Sequence, residues 1–319
     1  MTQLTNFLTE PLLLGLIWGI LALGVFIAYR VLDIADLSVE GVLPLSAVLT
    51  LFLINSGVDP LLSLLICVLV GAICGSIVAI MHIYLKIPSL LSGIIMMTGL
   101  FSIVVVISKG NIVLTNTTDN VFNPFILLFR RLSDERSFIA WSNFLGSFVL
   151  SAIFMVIVAL LMYWFFGTQL GLAIRATGKN KIMSRAQGVN TNKMEIIGLS
   201  LSSALVALSG ALLAQYQGYA SSTIGKGTIV IGLAIIFLGE ALLGRKSFKM
   251  QLVSIIVGGF LYWYIIDAIL LIPGFDSNLL YLLQAVLIVL ILVVPMLVNK
   301  FRNKQNVKNI RRENDVNDK

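Results

Sequence analysis

The stretch RATGKNKIMSRAQGVN, residues 175–190, is a polar interruption between two long apolar runs, and it contains four basic residues and no acidic one. Asn180 is a residue type that caps the start of a helix, because its side chain accepts a hydrogen bond from a free backbone N–H. Gly188 is suited to end that helix in a left-handed conformation. The stretch therefore predicts a short capped helix rather than a simple linker.

The residues on either side predict where the neighbouring helices end and begin. Leu170–Ile174 is expected to end the helix before the loop, with Gly178 after it as a stop signal. Asn192, followed three residues later by Glu195, resembles the capping box that starts a helix. The loop is thus predicted to contain a helix end, a short helix and a helix start, which together make a rigid protrusion.

The short helix of this protrusion is predicted to be amphipathic. Ile182, Met183 and Ala186 share one face, and Lys181 and Arg185 lie on another. Such a helix could lie on the lipid surface, where basic residues favour anionic headgroups. It could instead insert its apolar face into a groove on a cytoplasmic partner. The spacing supports both alternatives equally.

The chain as a whole is too apolar for a soluble domain. Of its 319 residues, 58% are hydrophobic and 12% are charged, and the mean hydropathy is +1.00. So few charged residues could not cover the surface of a soluble fold, which indicates a polytopic membrane protein. The net charge of +7 comes largely from short loops and the C-terminal tail. This is the charge bias of a membrane protein rather than of one that binds nucleic acid.

Uninterrupted uncharged runs predict an all-α fold with about nine transmembrane helices, some of them short or broken. The predicted helices are Pro11–Tyr29, Gly41–Val58, Pro60–Met81, Ile87–Ser108, Asn143–Phe166, Ile196–Gly218, Gly227–Leu243, Met250–Leu271 and Ser277–Asn299.

The basic residues predict the orientation of these helices. Nine crossings place the termini on opposite sides, and most Lys and Arg face the cytoplasm only if the N-terminus is outside and the C-terminus is cytoplasmic. We therefore expect a transmembrane domain over 1–299, with a cytoplasmic loop over 167–194, and a polar, disordered cytoplasmic tail over 300–319. The outer segment Lys109–Arg136 contains NPFILLF, which is expected to form a short interfacial helix.

An acidic break follows the first predicted helix. Asp33, Asp36 and Glu40 lie within eight residues, with Gly41 and Pro44 beside them. A hairpin between two membrane helices does not need this many carboxylates. Irregular backbone at membrane depth is tolerated only where it lines a cavity or is buried in protein, so the break is a candidate part of a transport path.

A second break lies in the other half of the chain, where Glu240 follows Gly239 near the end of a short predicted helix. Two such segments in comparable positions suggest related halves around a central path. The alternative is that these carboxylates lie at the cytoplasmic interface, hydrogen-bonded or paired with Arg30 and Arg245. Asp267 is a further acid within a predicted helix, where an interfacial position is equally consistent with the pattern.

Small residues recur at four-residue spacing in three predicted helices, which lets helix backbones approach closely in lipid. The positions are Gly15 and Gly19, Gly71 and Gly75, and Ser203, Ala207 and Ala211. We expect them to pack helices within one chain, and a dimer face is the alternative.

Several kinds of enzyme site are disfavoured. Residues 239–247, GEALLGRKS, nearly match a phosphate-binding loop, but Arg245 is one residue too many and no strand is predicted before it. The single His82 leaves no cluster for a metal ion and no paired nucleophile and base. We expect no covalent chemistry, no metal site and no ATP site in this chain.

Residues 167–215, GTQLGLAIRATGKNKIMSRAQGVNTNKMEIIGLSLSSALVALSGALLAQ, resemble the coupling segment of permease subunits of bacterial ABC importers. The family is the branched-chain amino acid and ribose permease superfamily. DLSVEG, residues 36–41, is also similar to a segment of its sugar permeases, although Glu40 stands where those have glycine. LDIADLSVEG and GTIVIGLAIIFLGEALLG resemble more closely the permeases that pair with lipoprotein receptors for aromatic amino acids.

This resemblance implies a permease in the bacterial cell membrane that moves a small solute, an amino acid, delivered by an external or lipoprotein binding protein. It implies that a separate cytoplasmic ATPase binds ATP, that two copies of the chain form the pore, and that lipid surrounds them. The implied ATPase-coupling residues are Arg175, Gly178, Asn180, Lys181, Ile182, Met183, Arg185, Ala186 and Gly188. The implied path residues are Asp36, Ser38, Glu40, Gly41, Gly239 and Glu240. The alternative is an ion-coupled secondary transporter that uses the intramembrane carboxylates.

Overall fold

The structure, a computed structural model, describes residues 2–116, 120–131, 139–245, 247–271, 279, 282–290 and 293. The chain forms two compact units, Met1–Ile269 and Leu270–Lys319. In the second unit, residues 282–290 are helical. The predicted tail over 300–319 and most of the predicted helix Ser277–Asn299 lie outside the described residues.

The first unit is almost entirely helical, as its long uncharged runs predict. Its helices are α1 (Thr2–Phe26), α2 (Val39–Asn55), α3 (Pro60–Ile83), α4 (Ser89–Ser108), α5 (Asn123–Arg131), α6 (Ile139–Phe165), α7 (Gln169–Lys179), α8 (Lys181–Ala186), α9 (Thr191–Gln217), α10 (Thr228–Leu243) and α11 (Phe248–Leu270). A π-helical segment, Ile27–Val31, continues α1, and two short strands are β1 (Asn111–Val113) and β2 (Tyr219–Ser221).

Six of these helices are long and apolar enough to cross a membrane, and they are α1 with its π-helical continuation, α3, α4, α6, α9 and α11. The helices α2 and α10 are apolar but shorter, with 17 and 16 residues. Both begin beside an irregular segment. The prediction of short or broken helices at these two places is confirmed.

The core of the first unit is α1, which is the most buried of the six candidate membrane helices. Ile17, Ile20 and Leu21 are fully buried. α9 packs against it, and the hydroxyls of Ser202 and Ser209 donate to the Gly24 and Ile17 carbonyl oxygens at 2.7 and 2.8 Å. Buried hydroxyls thus find acceptors on the neighbouring backbone, where no water is available.

The small-residue motifs pack helices within the chain, as predicted. A Cβ atom at Gly71 or Gly75 of α3 would collide with Ala207, Ser203 or the Leu199 carbonyl oxygen of α9. In α1, Gly15 lies against Phe260 of α11, and Gly19 lies against Met155 of α6. These motif glycines therefore face helices of the same chain.

Replacement of Gly75 by alanine is expected to lower the free energy of unfolding by about 1–3 kcal/mol, because the added methyl group overpacks the α3–α9 contact. Gly99→Ala in α4 is the matched control, since a Cβ atom at Gly99 would have nothing within 4 Å. That control should be neutral or stabilising by about 0.5–1 kcal/mol through helix propensity. Thermal unfolding of the purified variants measures both, and equal destabilisation would contradict the packing assignment.

The segment between α4 and α6 forms hydrogen bonds with the ends of other helices. β1 pairs antiparallel with β2, with Ile112 opposite Ala220. At the end of α2, the Asn55 side chain donates to the Val113 carbonyl oxygen at 3.0 Å and accepts from the Thr115 N–H at 2.9 Å. The short helix predicted at NPFILLF is confirmed as α5. The small sheet was not predicted, because three-residue strands carry no periodic signal.

Candidate functional site: the 167–194 loop and the polar breaks

The 167–194 loop contains the predicted short helix, α8, with the predicted caps. The Asn180 side chain accepts a hydrogen bond from the Met183 N–H at 2.9 Å. Gly188 has a φ of 84°, in the left-handed region that favours glycine. Both predictions are confirmed, and they define the length of α8.

The boundaries around α8 differ from the predicted ones. Leu170–Ile174 does not end the preceding helix, because α6 ends at Phe165 and a separate helix, α7, follows. The Thr168 side chain caps α7 by accepting from the Gly171 N–H at 3.3 Å. The predicted end of the membrane span at Phe166 agrees with α6 to within one residue, but the separate helix α7 was not predicted.

The predicted capping box at the start of α9 is also wrong. The cap is Asn190, whose side chain accepts from the Lys193 N–H at 3.2 Å. Glu195 lies buried in α9, where its carboxylate pairs with the Lys181 ammonium at 2.6 Å. The Glu195 carboxylate is therefore used in an ion pair and is not the second partner of a capping box.

The sequence suggested that Gly178 ends a helix. In the structure it lies within α7, where this helix comes very close to the π-helical segment. A Cβ atom there would collide with the Val31 carbonyl oxygen of the π-helical segment, and it would lie 2.8 Å from the Leu32 Cα. Only glycine allows α7 to approach so closely. Gly178 therefore joins the 167–194 loop to the end of the buried helix α1.

The apolar face predicted for α8 is exposed. Ile182 is 83% exposed and Met183 is 59% exposed, and Ala186 is exposed as well. Ser184, on the opposite face, is buried. A short helix that buries a serine and exposes an isoleucine and a methionine presents an apolar surface to something outside this chain.

The basic residues of the loop hold it in place. Lys181 is bound to Glu195, and the Arg185 guanidinium donates to the Thr191 hydroxyl at 2.7 Å and to the Asn192 side-chain oxygen at 3.1 Å. Arg175 lies over the Phe248 ring of α11, with its guanidinium carbon 4.9 Å from the ring centroid. These contacts fix α8 against α9 and fix α7 against α11, so the protrusion is rigid.

The second break forms a buried ion cluster. The Glu240 carboxylate accepts two hydrogen bonds from Arg30, at 3.0 and 2.7 Å, and pairs with Arg245 at 2.7 Å. The Glu240 side chain is 4% exposed, whereas those of Arg30 and Arg245 are 26% and 56% exposed. The Arg30 guanidinium also lies 5.7 Å from the centroid of the Phe237 ring. The pairing that the sequence left as an alternative is confirmed for Glu240.

Gly239 packs α10 against α11. A Cβ atom there would collide with the Ser254 carbonyl oxygen, so glycine lets α10 approach α11. Gly239 and Glu240 thus hold α10 against its neighbours. Their predicted role in the transport path stays a prediction.

The first break places Asp36 in a buried site. Its carboxylate accepts from the Ser38 N–H at 2.9 Å. Among the described residues, the second carboxylate oxygen of Asp36 and the Ser38 hydroxyl have no hydrogen-bond partner. Burial raises the pKa of the Asp36 carboxyl above its ordinary value. The connection between α1 and α2 therefore holds polar groups whose hydrogen-bonding capacity is not used.

Glu40 and Gly41 lie at the start of α2, beside the start of α10. The Glu40 carboxylate lies near the backbone N–H groups of Gly227 and Ile229. This contact places a negative charge at a helix N-terminus, where free N–H groups and the helix dipole favour it. Gly41 faces the backbone of α4, where a Cβ atom would lie 2.9 Å from the Met97 Cα.

A cavity of about 260 Å³ opens beside this contact. Its lining residues come from α2, α4 and the segment before α10, and they are Glu40, Gly41, Pro44, Met97, Thr98, Phe101, Ser222, Gly225 and Lys226. Of the predicted path residues, Glu40 and Gly41 therefore line a cavity, and the second break lies at the other end of α10. Lys226 was missed as a site residue, although a lysine between two glycines before an apolar helix was a usable signal.

Comparison with known proteins identifies the family of the chain. The family model of the permease component of the branched-chain amino acid transport system matches residues 7–292. The chain is 33% identical over 309 residues to the tyrosine transport system permease protein of Clostridioides difficile (strain R20291), covering 97% of this chain and 96% of that protein. It is 25% identical over 262 residues to the ribose import permease protein RbsC of Escherichia coli (strain K12), covering 81% and 76%. No solved structure matches the chain significantly.

The match to the family model runs from the first helix into the second unit, and it includes both breaks and the 167–194 loop. With six helices long and apolar enough to cross a membrane, the chain is a multi-pass protein of the bacterial cell membrane. It belongs to the family of permease components of branched-chain amino acid transport systems.

Proposed function

We propose that this chain is the membrane-spanning subunit of an ATP-driven importer, and that it forms the path for an amino acid. In this proposal the N-terminus is outside, the C-terminus is cytoplasmic, and an external binding protein delivers the substrate. A separate ATPase binds and hydrolyses ATP, since the near-match to a phosphate-binding loop is the helical end of α10. The relative named as a tyrosine permease supports an amino acid as the substrate.

The exposed apolar face of α8 is the observation that carries this proposal. Ile182 and Met183 project from a helix that Lys181 and Arg185 hold rigidly against α9. A short amphipathic helix with a fixed base suits a groove on a protein partner, because it has little conformational entropy to lose on binding. We assign this face to the ATPase rather than to lipid.

Movement of α8 has a short route into the bundle. Gly178 of α7 touches the Val31 carbonyl oxygen, and the adjacent Arg30 is bound to Glu240 of α10. The other end of α10 touches Glu40 at the cavity. Since these contacts are direct, movement caused by closure of the ATPase would be transmitted to the cavity through α7, the π-helical segment and α10.

Two copies of the chain are proposed to form the pore. In the single chain, α4 exposes apolar side chains along much of its length, including Leu90, Leu91, Ile94, Ile95, Phe101 and Ile103. Lipid and a second copy are the two surfaces that can cover such a face in a membrane. The cavity beside Glu40 includes α4, so a second copy on this face would enclose it.

The secondary-transporter alternative is weakened by the ion cluster. Glu240 is held by two arginines, so it is not available to carry a proton or a cation in this conformation. Asp36, Glu40 and Asp267 are carboxylates that this alternative could still use.

Ile182→Asp tests the α8 assignment. The substituted side chain stays in solvent in the free chain, so stability should change by less than about 0.5 kcal/mol. Association with the ATPase should fall by tenfold or more, because a carboxylate would be buried in an apolar groove, at a cost of about 2 kcal/mol or more. Co-purification of the ATPase with the tagged chain measures this.

Leu128→Asp on α5 is the control for this test, because Leu128 is also exposed but lies at the other end of α6 from α7. It should leave co-purification unchanged. Full association of the ATPase with the Ile182→Asp chain would contradict the assignment of α8.

A further inference from the structure

The cavity beside Glu40 lies deep along the bundle. Gly41 faces Met97, which is the ninth residue of the 20-residue helix α4. At about 1.5 Å per residue, Met97 is roughly 12 Å from the start of α4, close to the middle of a helix that can span a membrane. The cavity therefore lies beside the middle of α4.

Two opposite charges line this cavity. Glu40 lies in the first turn of α2, and Lys226 lies in the segment that leads into α10. Gly225 brings this segment against α2, since a Cβ atom there would collide with the Glu40 carbonyl oxygen. None of the ion pairs within the described part of the chain joins Glu40 to Lys226. Two charged residues beside the middle of an apolar helix are unusual, and ionisable groups within a membrane protein are candidate functional residues.

Both groups keep free hydrogen-bonding capacity. The Glu40 carboxylate lies near the Gly227 and Ile229 N–H groups, and a carboxylate has about four acceptor positions, more than two N–H groups can fill. Lys226 is exposed, and its ammonium group carries three donors. A ligand that enters the cavity therefore meets an acceptor for a cation and a donor for an anion.

The other walls are mostly apolar. Pro44, Met97 and Phe101 supply them, and the Thr98 hydroxyl is already used in a hydrogen bond to the Ile94 carbonyl oxygen at 2.8 Å. An aromatic ring and a thioether suit an apolar or aromatic side chain of a ligand. A sugar would find few polar partners on these walls.

We propose that this cavity is a binding station for a zwitterionic amino acid during transport. Glu40 binds its α-ammonium group, Lys226 binds its α-carboxylate, and Met97 and Phe101 contact an apolar or aromatic side chain. This inference rests on the proposed function, and it adds the chemical groups by which the path itself recognises its substrate. The site is incomplete without both charges, because each compensates one end of the ligand.

Protection of a cysteine in the cavity tests the proposal directly. Thr98→Cys places a thiol at an exposed cavity position, and the two native cysteines are buried. The assembled transporter in lipid nanodiscs is treated with a thiol reagent, with and without saturating L-tyrosine. Tyrosine should slow the labelling. Tyramine, which lacks the carboxylate, and 3-(4-hydroxyphenyl)propionate, which lacks the ammonium group, should protect far less.

Charge removal in the same background completes the test. Lys226→Gln and Glu40→Gln should each raise the tyrosine concentration needed for half protection by about tenfold. Glutamine keeps an oxygen that can accept from the α10 N–H groups, so folding is retained. Lys109→Gln, at an exposed lysine after α4, is the matched control and should have no effect.

The outcomes separate this inference from the proposed function. Equal protection by tyrosine and by both analogues, or labelling that tyrosine does not slow, would overturn the binding station. If the wild-type transporter still accumulates tyrosine with ATP in that case, the proposed function stands without it.

Discussion

Replacement of Gly188 by valine is expected to reduce ATP-driven uptake by about tenfold while the chain still folds and inserts. The φ of 84° at this position costs a residue with a side chain about 1–2 kcal/mol, and a β-branched one more. Since nothing lies within 4 Å of a Cβ atom there, the cost is conformational and not a clash. The end of α8 would then leave the geometry that docking requires. Fewer molecules would be competent to bind the ATPase, and the apparent affinity would fall in proportion.

Gly57→Val is the matched control for this prediction. Gly57 has a φ of 87° and also has nothing within 4 Å of a Cβ atom. Gly57 follows α2, and the 17 residues of this helix place Gly57 roughly 25 Å from the start of α2 and from the break that precedes it. Both variants should lose similar stability, and only Gly188→Val should lose uptake and ATPase association. Equal losses of uptake would show that general destabilisation, rather than the shape of the loop, is responsible.

Replacement of Glu240 by alanine is expected to lower the free energy of unfolding by about 3 kcal/mol. Removal of one partner of a buried ion pair leaves the other charge uncompensated, which typically costs about 3–5 kcal/mol. The lower end applies because a quarter of the Arg30 side chain is exposed and can still reach water. Thermal unfolding of the purified protein measures the loss.

Arg245→Ala is the control for the ion cluster. More than half of the Arg245 side chain is exposed, and Glu240 keeps its two hydrogen bonds from Arg30 without it. The expected loss is below about 1 kcal/mol, as for other surface pairs. If Arg245→Ala were as destabilising as Glu240→Ala, the bidentate bond to Arg30 would not be the dominant interaction.

The parts of the fold that follow from local physics could be predicted from the sequence. Uncharged runs located the helices, and the Asn180 and Gly188 signals defined α8, because capping depends on neighbouring backbone groups alone. The burial of α1 and the packing of α7 against the π-helical segment could not be predicted. They depend on contacts between residues far apart in the chain, such as Gly178 with Val31.

The same distinction applies to the candidate site. The acids of both breaks were found because charges in apolar runs are rare, but their partners could not be chosen from the sequence. Glu240 is held by Arg30, 210 residues away, and Glu40 by the start of α10. Lys226 was not predicted as a site residue, because a hydropathy pattern does not reveal that the segment before α10 meets the start of α2.

The energy source of uptake tests the central claim most directly. The chain is reconstituted in proteoliposomes with the proposed ATPase and binding protein, and accumulation of radiolabelled L-tyrosine is measured. The account predicts accumulation that requires ATP on the ATPase side and persists when proton and sodium gradients are collapsed. Accumulation that follows an ion gradient and proceeds without ATP would contradict it.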